Sequence, residues 1–330
     1  MEDEIKNFIK VWILALASLT YCYLIPSKIP KGKFRFLSLL PIIIFFIILP
    51  LNLTTISLGG ITAFFLPWLA NFNLLLFSFG KGPLSSDDPY SISFSRFIFT
   101  ACLPIKIKQN PSLKSNPKTK QTTKSSPLNF AIKGLELALA IVAAMAATLL
   151  NLELEPQFHD PYLSTSLQDF WGRRWNLMVP NILRPTVYDP ILYVSTVIVG
   201  RKWAALPAAL ATFLVSGLMH ELIFFYYGRV RPTWEVTCFF VLQGFCVALE
   251  ILVKKVVKGR WRLHPVVSAP LTVGFVVVSG AGLFFPQLVR CDAFVRSSVE
   301  VAAFVGFFKE LGWTIFGMSN WVSQWCTSNF

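Results

Sequence analysis

Residues 204–227 read AALPAALATFLVSGLMHELIFFYY, an apolar run broken by two ionisable side chains, His220 and Glu221. About 20 apolar residues in a helix cross a hydrocarbon core of roughly 30 Å. An ionisable group at that depth costs a few kcal/mol by insertion scales, roughly 3 at the helix centre, so it marks a functional-site candidate. An imidazole also exchanges protons near neutral pH, which suits acid–base chemistry. This run decides the fold, because others like it recur along the chain.

Of the 330 residues 54% are hydrophobic and only 14% charged, too apolar for a soluble domain. The expected fold is all-α: a polytopic transmembrane helical bundle of about 8–10 spans with a re-entrant or interfacial segment, enclosing a tunnel. Continuous rather than alternating apolar runs exclude a barrel. The expected spans are residues 5–25, 36–53, 58–79, 130–150, 192–199 with flanks, 203–227, 234–253, 266–286 and 299–316. The whole chain, 1–330, reads as a single membrane-embedded domain.

The net charge of +13 sits in loops rather than on a nucleic-acid-binding fold. SKIPKGKFR (27–35) and KKVVKGRWR (254–262) carry no acid and are expected on the cytoplasmic side, which places the N-terminus in the lumen. Residues 108–127 are mostly Lys, Ser, Thr, Asn, Gln and Pro without an acid, the composition of a disordered cytoplasmic loop. Residues 97–107 are expected at the interface or dipping into the membrane. The six cysteines form no CxxC pair, so neither a disulfide framework nor a metal site is expected.

Two constellations carry chemistry. On a helix, Phe213, Ser216, Gly217, His220 and Phe224 share one stripe: a hydroxyl, a gap, an imidazole and an aromatic wall. A narrow substrate would approach His220 beside Gly217. The second is Asp169–Pro180, DFWGRRWNLMVP, within a stretch (167–190) that reads as neither span nor linker. Trp171 and Trp175 share a helical face as an interfacial anchor, Arg173 and Arg174 suit phosphates or headgroups, and the Asn176 amide both donates and accepts. His159, in a short HDP turn, and His264, before Pro265, are weaker candidates.

FWGRRWN at 170–176, followed some forty residues later by SGLMHE at 216–221, resembles the membrane-bound O-acyltransferase family. ITAFFLPWLANFNLLLFSFGKGPL (61–84) and RPTVYDP (184–190) are similar to its plant wax synthase branch. The resemblance covers essentially the whole chain. It implies transfer of a fatty acyl group from acyl-CoA, as co-substrate without further cofactor or metal, to a long-chain fatty alcohol, or alternatively a sterol. It places His220 and Asn176 in the catalytic positions, with Trp171, Arg173, Arg174, Trp175, Ser216 and Gly217 around the substrates. Localisation to the endoplasmic reticulum follows from the same resemblance. A lipid or proton-coupled transporter is the alternative of another class; it would show repeated halves or several intramembrane charges, and neither is visible.

Overall fold

A computed structural model describes residues 2–85, 93–102, 158–257 and 263–316. The expected loop 108–127 and span 130–150 lie outside these residues. Among the described residues every regular element is helical, and seven helices are long and apolar enough to cross a membrane. We number the helices α1 (Glu2–Lys28), α2 (Lys33–Asn52), α3 (Ile56–Ser78), the shorter α4 (Phe94–Cys102), α5 (Met178–Val199), α6 (Ala205–Gly228), α7 (Glu235–Val256), α8 (Pro265–Arg290) and α9 (Ala293–Phe316). The spans are α1–α3 and α5–α8. Helix α9 stands apart from them because Arg296, Glu300, Lys309 and Glu310 interrupt its apolar sequence. The protein is therefore an all-α polytopic membrane bundle.

The charges sort to two ends. Lys28, Lys31, Lys81, Arg201, Lys202, Lys254 and Lys255 flank the ends of α1, α3, α5 and α7 and the starts of α2 and α6. Buried Arg35 ties this basic end together, donating to the carbonyls of Ser27, Ile29 and Phe77, from α1, the α1–α2 turn and α3. Lys255 Nζ donates to the Lys202 carbonyl, pinning the end of α7 to the start of α6. At the opposite end Arg229 donates to the Pro50 and Leu53 carbonyls, and Arg290 pairs with Glu235. Glu4 accepts from the backbone N–H groups of Thr54 and Thr55, while Glu300 accepts from those of Ile56 and Ser57. Thr54 and Thr55 lead into α3, and Ile56 and Ser57 carry its first N–H groups, which have no partner within the helix. Two carboxylates, one from α1 and one from α9, satisfy them and complement the helix dipole.

Leu19, Leu39, Phe46, Leu66, Phe77 and Phe97 form the core where α1, α2, α3 and α4 meet. Asn71 donates to the Ile43 carbonyl of α2, and Asn73 to the Thr100 and Ala101 carbonyls of α4. The polar residues of α3 thus face other helices, as expected of amides at membrane depth. Within α3 the backbone widens into a π turn, Phe64–Ala70, around Pro67. Proline has no N–H to give and its ring crowds the preceding carbonyls; a wider turn relieves both.

One expectation is corrected. A span was expected at 192–199 with flanks, and 167–190 read as neither span nor linker. The structure instead joins Met178–Leu183 to Asp189–Val199 through a π turn at Arg184–Tyr188, giving the 22-residue span α5. Pro180, Pro185 and Pro190 disguise it in the sequence, yet a helix with neighbours and a local π turn absorbs the missing donors. Only the first half of the stretch folds inward, along α7. Gln168 N donates to Glu250 Oε2 near the basic end, and Trp171 Nε1 donates to Gln243 Oε1 (3.1 Å) further along the helix.

Candidate active site

His220 sits on α6 with Nδ1 2.7 Å from the Ser216 carbonyl oxygen one turn earlier. A carbonyl only accepts, so Nδ1 carries a hydrogen, and a neutral ring so held keeps its lone pair on Nε2. Three aromatic rings from three other helices surround the imidazole: Phe240 of α7 at 4.4 Å between centroids, Phe284 of α8 at 5.8 Å and Trp68 of α3 at 6.0 Å. Phe224, Phe239 and Phe240 form the buried cluster behind this wall, with Phe284 packed against it. The result is an imidazole in an apolar box, where an electrostatic interaction is weakly screened.

Gly217 does not leave the expected gap. A Cβ there would lie 3.0 Å from Thr237 Cα and 3.2 Å from Phe240 Cβ, so its missing side chain is where α7 closes on α6. Gly244 plays the reciprocal part, opposite Phe213. Small residues that let backbones approach are the usual device for packing helices in lipid. The Gly217 contact seats Phe240 against His220. Ser216 is buried and contributes its carbonyl oxygen to the imidazole. Glu221 is also buried, and its Oε1 accepts from the Thr237 backbone N–H at 3.1 Å.

The FWGRRWN block forms a π turn at Phe170–Arg174. Trp175 stacks on Phe170 (5.4 Å, 14° between planes) and meets Phe158 edge-on. Asn176 follows with φ of 41°, in the left-handed region that asparagine tolerates better than most residues. Its carbonyl accepts from Val179 N at the start of α5. Its side-chain amide makes no hydrogen bond among the described residues. Trp171 touches Phe213, Phe239 and Phe240, so the block and His220 share one aromatic ring, Phe240. A buried polar chain fixes this contact: Trp171 Nε1 to Gln243 Oε1, then Gln243 Nε2 to Ser279 Oγ at 2.9 Å. Gln243 is fully buried.

The two arginines part company. Arg174 pairs with Asp169 at 2.8 Å and donates to the His159 and Asp160 carbonyls, whereas Arg173 is exposed. Residues 159–161 are a turn, with Asp160 at φ 46°, and His264 caps the N-terminus of α8. Reading the sequence missed Trp68, Phe240 and Phe284 as walls of the site, and Gln243 as the anchor of Trp171. Gln243 was discoverable, as a primary amide inside the apolar run 234–253. The phenylalanines carry no such signal.

Fold and site together define a polytopic membrane protein with a histidine boxed by aromatic rings within one of its spans. The family model "Membrane bound O-acyl transferase family" matches residues 154–242, a segment that contains both Asn176 and His220. Among curated proteins, the chain is 46% identical to "Probable long-chain-alcohol O-fatty-acyltransferase 8" of Arabidopsis thaliana, over 94% of this chain and 98% of the relative. It is 44% identical to "Long-chain-alcohol O-fatty-acyltransferase" of Simmondsia chinensis, over 95% and 99%. It is 43% identical to "Acyl-CoA--sterol O-acyltransferase 1" of Arabidopsis thaliana, over 92% and 97%. No solved structure matches the chain. The chain belongs to the membrane-bound O-acyltransferase family, in its plant wax synthase branch.

Proposed function

We propose that the chain transfers a fatty acyl group from acyl-CoA to the hydroxyl of a long-chain alcohol, releasing a wax ester and CoA. The observation that carries this reading is the His220–Ser216 hydrogen bond, which leaves Nε2 as a proton acceptor inside an aromatic box. The alcohol gives its proton to Nε2 while its oxygen attacks the thioester carbonyl carbon. The C–S bond then breaks, and the departing sulfur takes the proton back from the imidazolium. The Asn176 amide orients the alcohol. Walls of Trp68, Phe240 and Phe284 exclude water and limit hydrolysis. Exposed Arg173 and the lysines of the basic end suit the CoA phosphates, and Arg174 serves by holding the FWGRRWN turn.

A sterol acceptor is the second reading, favoured by the likeness to the sterol acyltransferase. Three rings within 6.0 Å of the imidazole favour an unbranched chain instead. The endoplasmic reticulum, where both lipid substrates are made and used, is the proposed location. The deciding experiment is a microsomal assay with labelled acyl-CoA against fatty alcohols, sterols and diacylglycerol. Wax ester formation is expected, and the absence of any ester from a well-expressed protein would overturn the assignment.

A further inference from the structure

Three tryptophans have their rings inside the bundle beside functional or packing positions, and two of them find partners. Trp12 Nε1 donates to Thr62 Oγ1 at 3.3 Å, and Trp171 Nε1 donates to Gln243 Oε1 at 3.1 Å. Trp68 does not. Its side chain is 3% exposed, and its Nε1 is buried with no hydrogen-bond acceptor among the described residues. A buried donor without a partner is costly anywhere and more so where water is scarce. Such a group asks for an explanation, and a ligand atom is one.

Its position supplies the ligand. The Trp68 ring stands 6.0 Å from the His220 imidazole, tilted by 57°. Phe64 packs edge-on against its other side at 5.0 Å, which fixes the indole. The ring is presented by the π turn at Phe64–Ala70, and such turns in helices are frequent at functional sites. Glu221 accepts from the Thr237 backbone N–H through Oε1, while its Oε2 and the Thr237 hydroxyl are buried without a partner among the described residues. The indole is therefore a rigid, desolvated donor beside the base, without an acceptor among the described residues.

We propose that the Trp68 indole N–H donates to the carbonyl oxygen of the acyl thioester at His220. This deepens the acyl-transfer reading and rests on it. As the alcohol oxygen adds to the carbonyl carbon, the C=O pair moves onto that oxygen, and the negative charge is met by the indole hydrogen. When the C–S bond breaks, the carbonyl re-forms and the charge leaves with the sulfur. The donor strengthens as charge develops, which is the requirement for lowering the barrier rather than for tighter binding alone. Asn176 is then free to serve the alcohol.

The test compares wild type with Trp68→Phe, which keeps an aromatic ring and removes the donor. Both are assayed for esterification, and both are assayed for binding of two unreactive labelled CoA analogues. One analogue replaces the thioester sulfur by a methylene, keeping the ketone oxygen; the other is an alkyl thioether with no carbonyl. Expected for Trp68→Phe is a kcat lower by about a hundredfold, with the KM for acyl-CoA raised by up to about tenfold. The ketone analogue should bind about tenfold more weakly, and the thioether analogue should bind as in wild type. Full activity in Trp68→Phe, or equal weakening of both analogues, would overturn the role and leave Trp68 a packing residue. If the wild type itself forms no ester while binding both analogues, it is the acyl-transfer reading that fails.

Discussion

Glu221 Oε1 accepts the Thr237 backbone N–H at 3.1 Å, so the acid next to the histidine caps the beginning of the following helix. Thr237 lies in the first turn of α7, where N–H groups lack partners inside the helix. The same helix carries Phe240 to the imidazole. Glutamine retains an oxygen acceptor there and alanine does not. Glu221→Gln should keep most of the esterification activity, and Glu221→Ala should lose about 1–3 kcal/mol of stability with activity falling alongside. Thermal unfolding in detergent, paired with the microsomal assay, checks both. A Glu221→Gln protein that is stable yet inert would assign the carboxylate a direct part in the chemistry.

His220→Ala removes the base and should lower kcat by about a hundredfold to ten-thousandfold. The half-buried ring loses one hydrogen bond, to Ser216, and its contacts with Trp68, Phe240 and Phe284, a loss the bundle should absorb well enough for the protein to accumulate in membranes. Esterification rates normalised to protein amount measure this. Retention of more than about a tenth of wild-type activity would exclude general-base catalysis by this residue.

Asn176 combines an unusual backbone with a free amide, and two substitutions separate them. Asn176→Gly relaxes the backbone at φ 41°, whereas Asn176→Ala strains it by about 1 kcal/mol. Both remove the amide. Both should be inactive, while only the alanine variant should show a lower melting temperature. An active glycine variant would restrict Asn176 to shaping the turn.

Gly217→Val places side-chain atoms against α7, where a Cβ alone would already stand 3.0 Å from Thr237 Cα and 3.2 Å from Phe240 Cβ. The expected cost is about 1–3 kcal/mol through separation of α6 and α7. Activity should fall further than stability, because Phe240 moves with α7. Gly274→Val, where no atom lies within 4 Å of the added Cβ, is the control and should be well tolerated.

Exposed Arg173 offers a test of sidedness. A cysteine at 173 should react with an impermeant thiol reagent added to sealed microsomes from the cytosolic face, the side of the basic loops. Reaction only after the lumen is opened would reverse the orientation or place Arg173 away from the CoA end.

Much of the architecture is legible in the apolar runs. The all-α bundle and the depth of His220 follow from length and hydropathy, and α6 spans Ala205–Gly228 within two residues of the run at 203–227. The first half of α5 escaped because three prolines and Arg184 mimic a loop, and only packing against neighbours makes a π turn at 184–188 worthwhile. The stripe of Ser216, Gly217 and His220 was readable from spacing. What stood opposite it was not, since periodicity reports which residues share a face and nothing about the partner helix. The ring of Phe240 and the indole of Trp68 come from other helices, and Trp68 from a segment remote in sequence. Family likeness singled out Asn176, while its left-handed backbone and its route to His220 through Trp171 and Phe240 needed coordinates.

The start of α3 is held by Glu4 from the first described helix and by Glu300 from the last. Synthesis proceeds from the first of these carboxylates toward the second. For most of translation, then, the helix that bears Trp68 has one of its two clasps, and the second arrives only after every span of the described bundle has been made. A ribosome stalled before Glu300 would leave a protein with its histidine helix in place and its Trp68 helix half-fastened. Among the described residues, α9 thus supplies the second clasp of the helix that bears Trp68.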